Sequence, residues 1–274
     1  MKNLKTALFL CFALIFKTYS LNAQAQFFYN KGNGATTAVN TCDVSGGQTF
    51  NLSANWSHIV HNQNFFNGGS YLFYNTTTGL AVTTTDTHAG LRDVRTYNMS
   101  PGWTHILLVN GNQVLFYNAN SGLGVVTDGN LNTVSTQSFS SGWTHVVDAG
   151  NNTTFFYNAN SGLGVLTNRT FGTISTHAMA GGWTHIVRIN NDMLFYNKGS
   201  GAGTLASSTN FRTLRTINFS GGWTHIVQTW GCYKVLFYNS NTGAGTMTDY
   251  NFRTLSTHAM AGQWTTILSP IVLL

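Results

Sequence analysis

Short runs of apolar, aromatic and β-branched residues alternate along this chain with clusters of glycine, asparagine and serine. In the segment that starts at Trp143, the stretches WTHVVDAG, TTFFYN, LGVLT and TISTHAM each fit a β-strand. The stretches NN, ANSG and NRTFG between them fit turns. We find no helical period of useful length, so the pattern predicts an all-β protein of short antiparallel strands.

Two sequence anchors show that this four-strand segment is a repeating module. The tripeptide Phe-Tyr-Asn occurs six times, at spacings of 45, 43, 40, 39 and 42 residues, and six tryptophans interleave with it. Four strands in about 40 residues are typical of a propeller blade. One such sheet cannot cover its two apolar faces alone, whereas neighbours around an axis cover both. We therefore predict a six-bladed β-propeller of four-stranded antiparallel blades.

Each end of the chain carries only part of a module. The segment from Phe27 onward lacks a preceding tryptophan strand, and the stretch from Trp264 to Leu268 is a tryptophan strand alone. Together they would complete one composite blade and close residues 26–274 into a single domain. Cys42 and Cys232 would then lie in neighbouring blades beside the closure, where a disulfide could join them. The alternative is two unpaired small core residues.

The first 25 residues have the pattern of a signal peptide. Lys2 and Lys5 precede the apolar run ALFLCFALIF, and Ala23-Gln24-Ala25 fits a cleavage site. No other apolar run is long enough to cross a membrane as a helix. We expect the mature chain to be exported, and to be secreted, periplasmic or associated with the cell surface.

Charge and acid content argue against several classes of function. Without the three leader lysines the net charge is only +3, and the basic residues are scattered, which argues against nucleic acid. The chain has no glutamate, and Asp128 and Asp249 occupy the same turn position of their modules. Facing carboxylates for hydrolysis are therefore not expected, and no metal-binding motif occurs. We predict a protein that is not an enzyme and has no cofactor or metal.

The repeat also resembles a known family. The order Gly-Trp, a short apolar strand, LFYN and a small-residue turn with glycine is similar to the repeat of tachylectin-type propeller lectins, over all six modules. The resemblance implies a sugar-binding propeller with about one site per blade. The histidine of WTHIV has no counterpart that we can map onto that family.

The repeated aromatic and polar residues allow two interpretations. In the first, tryptophan packs between blades and histidine bonds a backbone group or a threonine of the adjacent blade. In the second, each module is a weak site for neutral sugar, made effective by multivalency. The candidate sugar-contacting residues are Trp103, His105, Trp143, His145, Trp183, His185, Trp223, His225, Tyr117, Asn118, Tyr157, Asn158, Tyr196, Asn197, Tyr238 and Asn239.

We therefore predict a lectin whose partners are glycans or glycoconjugates, bound in clefts between blades or at blade-end loops. The alternative is an adhesion propeller that binds a protein without sugar specificity, and a hydrolase ranks third. The oligomeric state stays open, because similar modules can also close a ring from separate chains.

Overall fold

The computed structural model describes residues 26–39, 41–62, 70–87, 90–229 and 231–269. The signal peptide predicted for residues 1–25 lies outside these described residues. Within them, 24 strands form six four-stranded sheets. None of the described residues belongs to a helix that is long and apolar enough to span a membrane.

The six sheets are the blades, numbered here in chain order. Blade 1 contains β24 (Thr266–Leu268), β1 (Gln26–Tyr29), β2 (Ala35–Val39) and β3 (Gln48–Asn51). Blade 2 contains β4 (His58–Asn62), β5 (Ser70–Tyr74), β6 (Leu80–Thr87) and β7 (Gly90–Asn98). Blade 3 contains β8 (His105–Val109), β9 (Gln113–Tyr117), β10 (Leu123–Thr127) and β11 (Thr133–Ser138).

The remaining blades follow the same order from the inside outward. Blade 4 contains β12 (His145–Gly150), β13 (Thr153–Asn158), β14 (Leu163–Thr167) and β15 (Thr173–Ala178). Blade 5 contains β16 (His185–Ile189), β17 (Asp192–Tyr196), β18 (Ala202–Ser207) and β19 (Thr213–Asn218). Blade 6 contains β20 (His225–Thr229), β21 (Lys234–Tyr238), β22 (Ala244–Asp249) and β23 (Thr254–Ala259).

The six blades form a closed ring. Their inner strands contact one another in the order β24, β4, β8, β12, β16, β20 and back to β24. Closure takes place inside blade 1, where β24 from the C-terminal segment pairs antiparallel with β1, and Ile267 lies opposite Phe28. The predicted six-bladed propeller with a composite closing blade is confirmed.

The hydrophobic core lies between the blades and not within them. The second strand of every blade is buried on both faces, which explains why stretches such as VLFY are apolar without alternation. One core cluster joins Phe155 and Tyr157 of blade 4 to Ile186 and Phe195 of blade 5. The outermost strands are mostly exposed, with polar side chains along an open edge.

One glycine in each turn between the second and third strands lets the next loop approach. Gly201 has a φ of 76°, and a Cβ at that position would run into the backbone carbonyl of Phe219. The backbone N–H of Phe219 donates to the carbonyl of Gly201 at 2.9 Å. This contact fixes the start of the loop that leads into the next blade.

Candidate functional site

The tyrosine of each Phe-Tyr-Asn sequence fastens the loop that precedes the next tryptophan. The Tyr196 hydroxyl donates to the carbonyl of Ser220 at 2.9 Å and accepts the backbone N–H of Trp223 at 3.2 Å. Burial raises the pKa of Tyr196. No surface that a ligand could contact is left on the four tyrosines of the predicted sugar set, Tyr117, Tyr157, Tyr196 and Tyr238, because each is 0% exposed.

The asparagine that follows each tyrosine shapes the adjoining turn. Asn197 Oδ1 accepts the backbone N–H groups of Gly199 and Ser200 at 2.9 and 3.0 Å. Its Nδ2 donates to the carbonyl of Gly182 at 2.8 Å. The bond from the backbone N–H two residues further on is also accepted by the other three asparagines of the predicted set, Asn118, Asn158 and Asn239.

The repeated tryptophans pack on the phenylalanine of the following Phe-Tyr-Asn, in the same blade. Trp183 and Phe195 have ring centroids 6.0 Å apart, and the other five pairs lie within 5.7–6.0 Å. Trp103 and Trp143 are buried, whereas Trp183, Trp223 and Trp264 are half-buried and keep some surface at the blade boundary. The tryptophans therefore carry structural contacts in every blade, and only the last three offer an indole edge to a ligand.

The repeated histidines link each blade to the next one. His105 Nε2 lies 3.1 Å from the carbonyl of Thr144 in the following blade, and His185 Nε2 lies 2.9 Å from that of Thr224. His145 and His225 make the same bond to the next blade. Because a carbonyl only accepts, Nε2 carries a proton. Nδ1 lies 2.9 Å from the neighbouring threonine hydroxyl, which also lies 3.0–3.1 Å from a tyrosine carbonyl of the same blade.

The environment of these histidines favours the neutral imidazole. Burial lowers the pKa of His105, His145, His185 and His225, and it lowers the pKa of His58 to about 4. Three of these histidines also lie near a lysine, since Lys31 is close to His58 and Lys198 is close to His185 and His225. These five histidines, which we call the histidine belt, therefore bridge five of the six boundaries between blades in the neutral state. In blade 1, Thr266 takes the place of the sixth histidine.

An open cleft lies at the closure of the ring, between blade 6 and blade 1, and we call it the seam cleft. It has a volume of about 440 Å³. Its apolar lining consists of Phe28, Val39, Val44, Met260 and Trp264. Thr37, Thr257 and His258 add polar groups to its walls, and none of its lining residues is Asp, Lys or Arg.

A smaller cleft occupies the equivalent place between blade 5 and blade 6, with a volume of about 290 Å³. Phe237 lies opposite Thr246 in this cleft, as Phe28 lies opposite Thr37 at the seam. One difference is a turn residue with positive φ, which is Phe252 between β22 and β23 and Val44 between β2 and β3. Another is Met260 at the seam, where the smaller cleft has Phe219. The smaller valine leaves the seam cleft more open.

Clefts between blades were among the predicted locations, but the residues predicted from the repeats are mostly not the ones that line these two clefts. Trp223 is the one member of the predicted set that lines either cleft, and His225 and the buried tyrosines do not. The sequence did contain one feature that points to these clefts, which is an apolar residue in the turn before the outermost strand of a blade. In blades 3 to 6 this position is occupied by Leu131, Phe171, Phe211 and Phe252. Only the structure shows that these side chains pack into the space between two blades.

The seam is also crossed by a covalent bond. Cys42 of blade 1 and Cys232 of blade 6 form a disulfide with a Cα–Cα distance of 5.5 Å. Lys234 Nζ donates to the carbonyl of Cys42 at 3.0 Å. Because Cys42 lies two residues before Val44, these bonds hold one wall of the seam cleft against the neighbouring blade.

The aspartates that share a turn position have local hydrogen-bonding roles. Asp128 Oδ1 accepts the backbone N–H groups of Asn130 and Asn132 at 2.9 and 2.8 Å. Asp249 Oδ1 accepts the N–H of Arg253 at 2.9 Å. Within the part of the chain that the structure describes, no group of three His, Cys, Asp or Glu residues could hold a metal ion.

Comparisons with known proteins support the fold at low sequence identity. A protein of unknown function from Bacteroides caccae superposes with a TM-score of 0.62 at 12% identity, over 89% of this chain and 97% of that one. A chain of a nidogen–laminin complex gives 0.61 at 9% identity, over 89% and 97%. A putative 6-phosphogluconolactonase from Bacteroides fragilis gives 0.59 at 10% identity, over 88% and 96%.

These similarities show the propeller fold alone. No family model matches the chain, and no curated protein matches it in sequence. The finer resemblance to tachylectin-type lectins stays a prediction, and so do the absence of catalysis and the export of the chain.

Proposed function

We propose that this protein binds neutral carbohydrate in the clefts between neighbouring blades, with the seam cleft as the main site. The observation that carries the proposal is the composition of that cleft. Phe28 and Trp264 supply aromatic surface, Thr37 and Thr257 supply hydroxyls, and no Asp, Lys or Arg is present. An apolar recess with a few placed polar groups is the usual form of a small-ligand site.

This set of side chains suits sugar for a chemical reason. The C–H face of a sugar ring is apolar and covers an aromatic ring well, whereas its hydroxyls need donors and acceptors at the rim. The hydroxyls of Thr37 and Thr257 and the His258 imidazole can each donate and accept hydrogen bonds with sugar hydroxyls. A phosphate or carboxylate ligand would find no lysine or arginine in the lining to offset its desolvation.

The repeated fold adds multivalency to this proposal. The cleft between blades 5 and 6 has Trp223, Phe237, Thr246 and Thr254 in its lining. Two weak sites on one rigid ring would engage a branched or surface-bound glycan more tightly than either site alone. An exported chain, as the leader predicts, would meet such glycans outside the cytoplasm.

The test starts with a glycan array, followed by calorimetric titration of the best neutral sugar. Two variants then probe the seam cleft with residues that other blades already carry. Thr37→Val copies Val125, and His258→Gln copies Gln137, at equivalent positions of blade 3. Each variant should keep the fold and weaken sugar binding at least several-fold. No binding across the array, or unchanged affinity in both variants, would refute the proposal.

One observation favours a protein partner as a second candidate. Val134, Ile174, Leu214 and Leu255 occupy one position on the outer strands of four blades and are 43–54% exposed. A partner covering several outer edges would bury them. Competition separates the two candidates, because a simple sugar displaces a glycan but leaves a protein partner bound at those edges.

A further inference from the structure

At the boundary between blades 4 and 5, side chains fill the space that is open in the seam cleft. Its loop sequence THAMAGG nearly matches the THAMAGQ of the seam. Phe211 stacks on Phe155 with ring centroids 4.1 Å apart, and the His177 ring meets Phe211 at 4.9 Å. Phe211 is only 8% exposed. Two phenyl rings therefore occupy the boundary between these blades.

At the seam, the residues around the equivalent position are similar, but smaller side chains replace the two phenyl rings. His258 repeats His177 down to its bond with a serine, Ser256, whose Oγ lies 2.7 Å from His258 Nε2. Val44 stands where Phe211 stands, with a similar φ of 55° against 53°. Leu236 stands where Phe155 stands, because each lies opposite the third residue of its inner strand.

Apolar side chains form one part of the wall around the space that results. Val44, Leu236 and Met260 belong to one cluster with Phe28 and Trp264. Space lined by apolar groups holds water poorly, and an apolar ring of matching size can occupy it. The polar rim of Thr37, Thr257 and His258 lies in the same cleft.

We infer that the seam cleft binds glycosides whose aglycone is an aromatic ring, and that Val44 is the residue that sets this preference. The ring would lie against His258 and Met260, as Phe211 lies against His177 and Met179 in the closed boundary. The sugar would then face the threonine hydroxyls. This inference rests on the proposed carbohydrate binding and names the class of glycoside that the site takes.

Matched probes test the inference. Methyl and phenyl β-glycosides of galactose and of glucose, together with phenol, are titrated into the wild-type protein and into Val44→Phe. The variant places in the seam the residue that blades 4, 5 and 6 carry at the same turn and φ, so it should fold. A phenyl group buried in the cleft should improve affinity about tenfold or more over methyl. Val44→Phe should abolish that advantage.

Thermal unfolding without ligand shows whether Val44→Phe loses binding because it fills the cleft or because it is misfolded. Because Val44→Phe fills apolar space, it should raise Tm in the absence of ligand, and Phe211→Val should lower Tm while adding a second site for phenyl glycoside. A loss of binding with a lowered Tm in Val44→Phe would overturn the assignment of Val44.

The remaining outcomes separate the two proposals. Equal affinity for methyl and phenyl glycosides, or a phenyl preference that survives Val44→Phe, overturns the inference and leaves carbohydrate binding intact. Phenyl glycosides that bind no more tightly than phenol, with no array glycan bound, show that the sugar contributes nothing and overturn the proposed function itself.

Discussion

The buried tyrosine hydroxyls give the sharpest test of whether the repeated residues are scaffold or site. In Tyr196→Phe the side-chain volume hardly changes, but the backbone N–H of Trp223 loses its acceptor and the carbonyl of Ser220 loses its donor. An unsatisfied buried polar group costs about 1–3 kcal/mol. We expect the free energy of unfolding to fall by about 2 kcal/mol and Tm to fall by roughly 4–8 °C for a domain of this size.

Urea unfolding followed by tryptophan fluorescence measures this change, and Tyr233→Phe is the matched control. Tyr233 is 75% exposed, so its hydroxyl reaches water and its removal should change stability by less than about 0.5 kcal/mol. Sugar affinity should be unchanged in both variants. The reasoning would be refuted if Tyr196→Phe kept full stability and instead lost sugar binding, because the hydroxyl would then serve a ligand.

Three further predictions concern the ring closure and the histidine belt. Replacing Cys42 and Cys232 by serine should lower the free energy of unfolding by up to about 5 kcal/mol, because the bond closes a loop with a sequence separation of 190; equal urea midpoints for both proteins would contradict this. Burial lowers the pKa of the belt histidines, so the unfolded chain binds more protons than the folded chain in acid. The free energy of unfolding should therefore be fully retained above pH 6.5 and fall progressively towards about pH 4. A urea midpoint that stays constant between pH 7.5 and 5 would argue against neutral belt histidines. Thr266→His should complete the belt by bonding the carbonyl of Ser57 in blade 2 and raise stability by about 1 kcal/mol in the same assay, whereas a destabilised variant would show that blade 1 has no room for the ring.

The fold could be predicted from the sequence because its cause is local and repeated. Each module has similar turn residues and the same Trp and Phe-Tyr-Asn anchors, and the two incomplete ends can complete one blade together. The composite blade and the position of Cys42 beside Cys232 followed from that count.

The candidate site could be predicted only in part, because repetition marks core and ligand surface in the same way. Tyr196 and Asn197 recur for hydrogen bonds that hold turns and loops. The seam cleft instead arises from a departure from the repeat, a valine where three blades have phenylalanine. The effect of this valine could not be predicted from the sequence, because only the structure shows that the turn residue packs between two sheets.

The central claim is that a cleft between blades of this closed ring holds sugar. The most direct measurement is a crystal structure after soaking with the neutral glycoside that binds best in titration. Our account predicts ligand density between blades 6 and 1, with a sugar ring or aglycone against Trp264 and hydroxyls near Thr37 or Thr257. Density confined to an exposed loop, with the seam cleft filled by protein side chains, would contradict it.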